Sequence, residues 1–308
     1  MAYSLREINA AVRSDPKGFA EECDAAFAKK VEAAAQKIAN HRKESHIILL
    51  SGPSGSGKTT TALKIEEQLE KMGIQTHTIS MDNYFNTIDP ETAPRNREGA
   101  IDYESPFCLD IELLNRHFSM LDRGETIHVP KYEFARQMRS DILSQPLKLG
   151  PDELAIFEGI HALNPVITDS LPSENLMKLY VSVSSRISDE DGDVLMSKRD
   201  LRFVRRLVRD YYHRASSVER TYDLWGSVQR GEDKYIFPYS HLAAEKIDSL
   251  HAYEPCVFRA LAVPMLTGVG SGSEWYDEAQ MMIERLERFE PLPVDVIPEN
   301  SLLREFMD

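Results

Sequence analysis

The most explicit chemistry in this chain lies in eight residues, Gly52-Pro53-Ser54-Gly55-Ser56-Gly57-Lys58-Thr59. The spacing is Gly, four residues, then Gly-Lys-Thr, the pattern of a phosphate-binding loop. Glycines let successive backbone N–H groups turn inward around an anion. Gly52, Ser54, Gly55, Ser56, Gly57 and Thr60 are accordingly assigned to the wall of a triphosphate site. A helix beginning near Lys58 would add its positive end to that site. The Lys58 ammonium would reach the β- and γ-phosphates of ATP, and the Thr59 hydroxyl would ligate Mg²⁺. The competing reading is a Gly-Ser surface turn before a helix. The buried-strand pattern in front of the loop, Ile47-Ile48-Leu49-Leu50, argues against it.

Ligands of open parallel sheets sit at the carboxyl ends of the strands. Two carboxylates fall there. Asp82 follows a strand read over Thr76–Ser80, and Glu158 follows one read over Leu154–Phe157. Glu158 would hold Mg²⁺ directly or through water. Asp82 would take a proton from an attacking hydroxyl or help to hold the metal. Either acid could instead merely cap the next helix.

A third set is cationic. Arg199, Arg202, Arg205, Arg206 and Arg209 fall within roughly a third of the circumference of one predicted helix, and Arg214 continues the run. Leu201, Phe203, Val204, Leu207, Val208 and Tyr211 fill the rest of that helix. Crowded like charges are unfavourable unless an anion arrives. The strip therefore reads as a lid that closes on phosphate, or as a patch paired with acids elsewhere in the chain.

These groups need a scaffold, and the pattern supplies one. Besides the strands already named, Met177–Val183 reads as a buried strand. Helical spacing covers Thr60–Lys71, Cys108–Leu121 and a stretch near Glu274–Arg288. Alternating strands and helices imply an α/β fold: a P-loop NTPase three-layer α/β/α sandwich with a mostly parallel sheet. Shorter strands at Ile127–Tyr132 and Leu147–Leu149 mark a small excursion. The division expected is an N-terminal helical extension over 1–45, with a helix over Phe19–Ile38 opened by Asp15-Pro16. A catalytic domain spans 46–290, and a tail 291–308. Within that domain an acceptor-binding insertion covers about 83–150 and an arginine-rich lid about 198–216.

Composition narrows the class. The chain has 308 residues and a formal net charge of −14, so a broad nucleic-acid face is not expected. No apolar run reaches membrane-spanning length. Cys23, Cys108 and Cys256 show no zinc or redox spacing, which fits a reducing, cytoplasmic location. Oligomeric state is left open, a homo-oligomer included.

Taken in order, the motifs resemble the uridine kinase and phosphoribulokinase superfamily over roughly residues 45–250. They are the glycine loop, Met81-Asp82-Asn83-Tyr84-Phe85, Asp102-Tyr103-Glu104-Ser105-Pro106, Pro130-Lys131-Tyr132-Glu133-Phe134, Phe157-Glu158-Gly159-Ile160 and Arg205-Arg206-Leu207-Val208-Arg209-Asp210. The segments 231–238 and 297–306 resemble the uridine-kinase-like branch often fused behind a threonyl-tRNA-synthetase-like domain. The resemblance implies roles. Asp82 matches a catalytic acid beside a ribose 5′-hydroxyl, and Thr59 and Glu158 match metal-side residues. Arg206, Arg209 and Arg214 match lid arginines. Tyr132 matches an aromatic that contacts the nucleoside, and Tyr84 and Arg139 fall with the substrate side. Glu104 stands where the family places an Asp on the ribose hydroxyls, and Gln137 where it places a base-reading His. The lid ends Arg214-Ala215-Ser216 instead of Arg-Gly-Arg. Glu104 and Gln137 are read equally as substrate contacts or as surface side chains of a mobile loop. The implied reaction is ATP-dependent phosphorylation of a small molecule, with the 5′-hydroxyl of uridine or cytidine leading. A sugar, sugar phosphate or inositol is the alternative. A regulatory NTPase is disfavoured, because the Asn-Lys-x-Asp guanine-reading pattern is absent.

Overall fold

The computed structural model describes residues 2–133, 136–142, 145–168 and 176–307. Phe134 of the fourth motif, and Met1 and Asp308 of the two end segments, lie outside the described residues.

The chain opens with β1 (Ala2–Ser4) and α1 (Leu5–Ser14), then restarts as α2 (Pro16–His41). The restart is local chemistry. The Asp15 carboxylate accepts the Gly18 N–H at 2.9 Å, and Pro16 occupies the first turn, where no amide is needed. Phe27, Val31, Ala34, Ala35 and Ile38 recur at helical spacing on the buried face of α2.

β2 (Ile47–Ser51) is buried at every position, as a central parallel strand must be. The glycine loop follows, then α3 (Lys58–Lys71), which stops before Gly73 at φ 77°. β3 (Thr76–Ser80) leads through a single turn at Met81–Tyr84 and a long loop to α4 (Ile111–Asp122). Helical spacing placed that helix from Cys108. It starts three residues later, because the Asp110 carboxylate accepts the Leu113 N–H and caps it there.

The excursion is two antiparallel pairs. β4 (Ile127–His128) pairs with β7 (Pro146–Leu147), and β5 (Tyr132–Glu133) pairs with β6 (Met138–Arg139). The single strand expected over Ile127–Tyr132 is therefore split. Pro130 has no N–H to give a ladder, and pairing resumes with a different partner beyond it.

The chain continues through β8 (Leu154–Glu158), α5 (Pro165–Thr168), β9 (Leu176–Ser182), β10 (Arg186–Ser188), β11 (Val194–Met196), α6 (Lys198–Arg214) and α7 (Val218–Tyr235). β12 (Glu245–Asp248), α8 (Glu254–Thr267) and α9 (Tyr276–Glu287) precede a final turn at Leu302–Phe306. The main sheet has five parallel strands in the order β12-β9-β2-β8-β3. Side chains alternate between its faces. Ile48, Leu50, Leu154 and Ile156 join one core with α1, α2, α3, α6, α8 and the final turn. Ile47, Leu49, Ala155 and Phe157 join the other with α4 and the excursion. The result is an α/β/α sandwich. Among the described residues no helix is long and apolar enough to cross a membrane.

Part of the arginine strip is paired with acids elsewhere in the chain. Arg202 is 2% exposed and Arg205 0%. Arg202 forms a two-pronged pair with Glu232 of α7, at 2.5 and 2.8 Å. Arg205 does the same with Glu254 of α8, at 3.1 and 2.5 Å. Arg199 pairs with Asp233 at 2.5 Å. These three arginines are thus engaged by carboxylates, and the strip is not one continuous anion face. The physical reason is enclosure. α6 buries most of its surface, and a buried guanidinium needs a carboxylate partner.

Removing one partner of such a pair leaves the other charged and enclosed. Arg205→Met is expected to lower unfolding free energy by about 3–5 kcal/mol, measured by urea denaturation. The double replacement Arg205→Met with Glu254→Leu should recover a large part of that loss. A single substitution that costs less than about 1 kcal/mol would show that the pair contributes little.

Candidate active site

The phosphate loop joins the end of β2 to the start of α3 and is shaped by close approach. A Cβ at Gly52 would stand 2.0 Å from the Val181 carbonyl oxygen of β9. Gly55 and Gly57 take left-handed backbone at φ 72° and 78°, where a side chain is strained. Helix α6 holds the loop from outside. Arg202 donates to the Ser54 carbonyl at 2.9 Å, Arg205 to the Gly55 carbonyl at 3.2 Å, and Arg206 to the Ser54 hydroxyl at 3.0 Å. Glu232 accepts the Ser54 N–H at 3.1 Å. The Ser56 hydroxyl is buried without a hydrogen-bond partner.

The charged groups gather at the carboxyl ends of β2, β3 and β8. Lys58 rests with its ammonium donating to the Pro53 carbonyl at 3.3 Å. Desolvation lowers its pKa, opposed by the carboxylates of Glu158, Asp82 and Glu305. Desolvation raises Asp82 above the usual carboxylate range, against the pull of Lys58, Arg214 and Arg209. Glu158, the last residue of β8, is pushed up to about 6 by burial and by the nearby charge of Asp82. Its Oε1 accepts the Thr59 hydroxyl at 3.4 Å.

This donor set fits a hard divalent cation. Among the described residues Glu158 accepts from the hydroxyls of Thr59 and Ser80. Among those residues no group of three His, Cys, Asp or Glu could cage a metal alone. Mg²⁺ characteristically takes one or two carboxylates and completes its shell with substrate phosphates and water. Thr59 and Glu158 match that habit, with Asp82 beside them.

Three arginines of α6 share one acid. Arg206, Arg209 and Arg214 lie 3.1, 3.3 and 3.3 Å from Asp210, which is buried. Three cations on one carboxylate leave a positive surplus next to Asp82 and Lys58. This is where an incoming phosphate anion would be favoured.

The expected acceptor residues divide. Glu104 packs against α7 so closely that a Cβ on Gly231 would stand 2.3 Å from its own Cβ. Burial raises Glu104 to about 6; Arg206 lowers it, and Glu232, Asp102 and Asp82 add to the rise. Tyr132 faces Phe85 with ring centroids 5.6 Å apart. Gln137 is exposed, in the turn of the β5–β6 hairpin, at φ 52°. Two residues assigned to the substrate side are engaged elsewhere. Tyr84 is 0% exposed, and its hydroxyl bonds His117 at 2.8 Å inside the α4 core. Arg139 pairs with Asp110 at 2.8 Å and donates to the carbonyls of Tyr84 and Phe85, so it braces the turn after β3.

Sequence reasoning missed four groups. Glu254 lies in none of the motifs, and Glu232 falls in the segment 231–238 without any role being read for it. His161 is buried, and desolvation holds it neutral down to about pH 4, against the Glu104 backbone. Its ring meets Tyr235 edge-on at 6.1 Å, and Tyr235 donates to Asp102 at 2.8 Å. Glu305 reaches the first turn of α3 from the far end of the chain. The acid embedded among Leu302, Leu303 and Phe306 was the available signal. A cleft of about 470 Å³ is lined by Asp102, Gly231 and Tyr235 among others, and none of Lys58, Asp82 and Glu158 lines it.

A glycine loop between a central parallel strand and a helix, with acids ending two strands on one side of it, defines a P-loop nucleotide-binding domain. Residues 47–252 match the model of the phosphoribulokinase/uridine kinase family, and the chain belongs to that family of small-molecule kinases. It is 33% identical over 198 residues to a uridine kinase of Staphylococcus aureus strain JH9, which spans 64% of this chain and 84% of that one. Among solved structures it is similar to a candidate fructose transport system kinase from Silicibacter sp. TM1040, at 19% identity and a TM-score of 0.44. That match covers 70% of this chain and 98% of the other. It is also similar to D-glycerate 3-kinase from Cryptococcus neoformans, at 14% identity and a TM-score of 0.37, covering 89% and 90%. The fold assignment rests on the sheet order and the family match.

Glu104 gives a pH signature. Its folded pKa lies above the unfolded value of 4.5, so the folded state binds more protons between pH 4.5 and 6. Its effect is therefore a loss of stability as pH rises through that window. Glu104→Gln should remove on the order of 1 kcal/mol of that loss, a figure reduced because the side chain is partly exposed. Thermal melts of both proteins at pH 4.5 and 7 check it; parallel pH slopes would refute it.

Proposed function

We propose that this chain transfers the γ-phosphoryl group of ATP to a hydroxyl of a small molecule, the 5′-hydroxyl of a uridine- or cytidine-like nucleoside. The observation that carries the reading is the convergence of Lys58 at the start of α3, Asp82 just after β3 and Glu158 at the end of β8 into one cluster of interacting charges.

In this reading the loop amides and Lys58 hold the triphosphate, and Arg206, Arg209 and Arg214 take up the charge that spreads over the transferring group. Thr59 and Glu158 would hold Mg²⁺, which would neutralise phosphate charge. Asp82 accepts the proton of the attacking hydroxyl. The acceptor oxygen bonds to the γ-phosphorus, the bond to the β,γ-bridging oxygen breaks, and ADP leaves. Asp82 need not be a strong base, since phosphoryl transfer depends mainly on position and charge. Glu104 offers acceptors for a diol, and Tyr132 a flat surface for a base. Phosphorylation of another polyol is a second reading. It is favoured by Gln137, whose exposed position in a hairpin turn differs from that of a base-reading residue enclosed in a pocket.

Lys58→Ala should lower kcat/KM by at least about a hundredfold. Asp82→Asn should keep ATP affinity within about twofold, yet lose about 10²–10⁴ in turnover. Undiminished turnover in the second variant would reduce Asp82 to a helix cap. Measuring ATP consumption across nucleosides, sugars, sugar phosphates and polyols tests the acceptor. Turnover with a non-nucleoside alone would overturn the nucleoside reading while leaving the kinase intact.

A further inference from the structure

The final turn of the chain lies against the phosphate loop. Leu302, Leu303 and Phe306 are fully buried in the core shared by α6 and α8. Leu302 covers Gly57 so tightly that a Cβ there would stand 2.7 Å from its Cδ1. The Asn300 carbonyl accepts from Lys64 of α3. This anchoring directs the one acid of the turn, Glu305, at the start of α3. Its Oε2 accepts both the Thr60 N–H at 3.2 Å and the Thr60 hydroxyl at 2.5 Å. Its charge also acts on Lys58 and Glu158.

A carboxylate that takes a backbone N–H at the positive end of α3 occupies the place of a phosphate oxygen. In a loop of this type the backbone N–H groups cradle the α- and β-phosphates. Thr60 has a single N–H, and one N–H cannot serve a carboxylate and a phosphate together at full strength. Two anions side by side in this partly enclosed site would also repel.

We propose that Glu305 is a built-in competitor for the nucleotide. Its carboxylate holds the α-phosphate end of the loop in the free protein and leaves Thr60 when a nucleotide arrives. The C-terminal turn is thereby coupled to occupancy of the site, and the nucleotide binds with an affinity reduced by the population of the Glu305-closed form. This inference rests on the reading of the loop as an ATP site.

Glu305→Gln keeps the shape and an acceptor oxygen but removes the charge. Calorimetric titration of wild type and this variant with MgATP, AMP and adenosine tests the idea, with Lys58→Ala as the control for binding in the loop. Kd for MgATP and AMP should fall roughly tenfold in Glu305→Gln, the scale of one hydrogen bond to a charged group. Adenosine, which has no phosphate, should be unaffected. In wild-type protein MgATP should also speed amide exchange across residues 300–307, a readout that holds even if the variant folds poorly. Suppose MgATP binds wild type and is lost in Lys58→Ala, yet Glu305→Gln binds it equally or more weakly. The competitor is then overturned and the ATP site stands. An equal gain for adenosine also overturns it. No binding of MgATP to either protein overturns both.

Discussion

Two guanidinium groups buried against the outer carbonyls of the phosphate loop fix the geometry on which the rest of the site depends. A glycine-rich loop has little intrinsic shape, because glycine loses more freedom on ordering than any other residue. Its amides can point inward in advance only if something grips its outer side. Arg202 on the Ser54 carbonyl and Arg205 on the Gly55 carbonyl are that grip. Glu232 and Glu254 pair with them there, which offsets the cost of burying the guanidinium groups. Glu232 also takes the Ser54 N–H, so one acid steadies both the arginine and the loop. Folding stability and order in the phosphate site therefore share the same ion pairs.

This arrangement divides α6 into two functions. Arg202 and Arg205 face inward to the loop, Arg206 spans the Ser54 hydroxyl and Asp210, and Arg209 and Arg214 join it on Asp210. Swinging the whole helix as a lid would expose two paired charges and the apolar residues between them. Any closing motion is cheapest at the last turn, where Arg214 is half-exposed and Ala215 takes left-handed backbone at φ 48°. The helix is thus held as a brace over most of its length, and among the described residues its last turn makes no buried ion pair to α7 or α8.

What the sequence made legible follows from the range of each signal. The strand, glycine loop and α3 form one contiguous stretch, and a continuous apolar run ending in glycine has few other readings. Asp82 and Glu158 follow because strand ends are where a parallel sheet presents its ligands. The partners of the arginines were not legible. Glu232 lies 30 residues beyond Arg202, and Glu254 lies 49 beyond Arg205. Helical periodicity tells which arginines share a face but not what meets that face. Tyr84 shows the same limit. It sits in a motif next to Asp82, yet His117, 33 residues away, draws its hydroxyl into the core.

The ends of the chain extend this argument. Residues 1–45 read as an extension and 291–308 as a tail, yet both contribute to the core that supports α3 and α6. Tyr253 ties them together. Its hydroxyl donates to Asp24 of α2 at 2.6 Å and lies 2.9 Å from the Ser301 hydroxyl. Ser301 in turn begins the turn that carries Glu305, and its hydroxyl accepts the Leu303 N–H at 3.3 Å. Asp24, held below the usual carboxylate range by His251, Tyr253 and Ser301 against the opposing effect of burial, stays charged as the anchor of this chain of bonds. The position of a carboxylate at the mouth of the phosphate loop is in this way tied to Asp24 of α2, far upstream at the other end of the chain. Neither end could shift without loosening the other's hold on the start of α3.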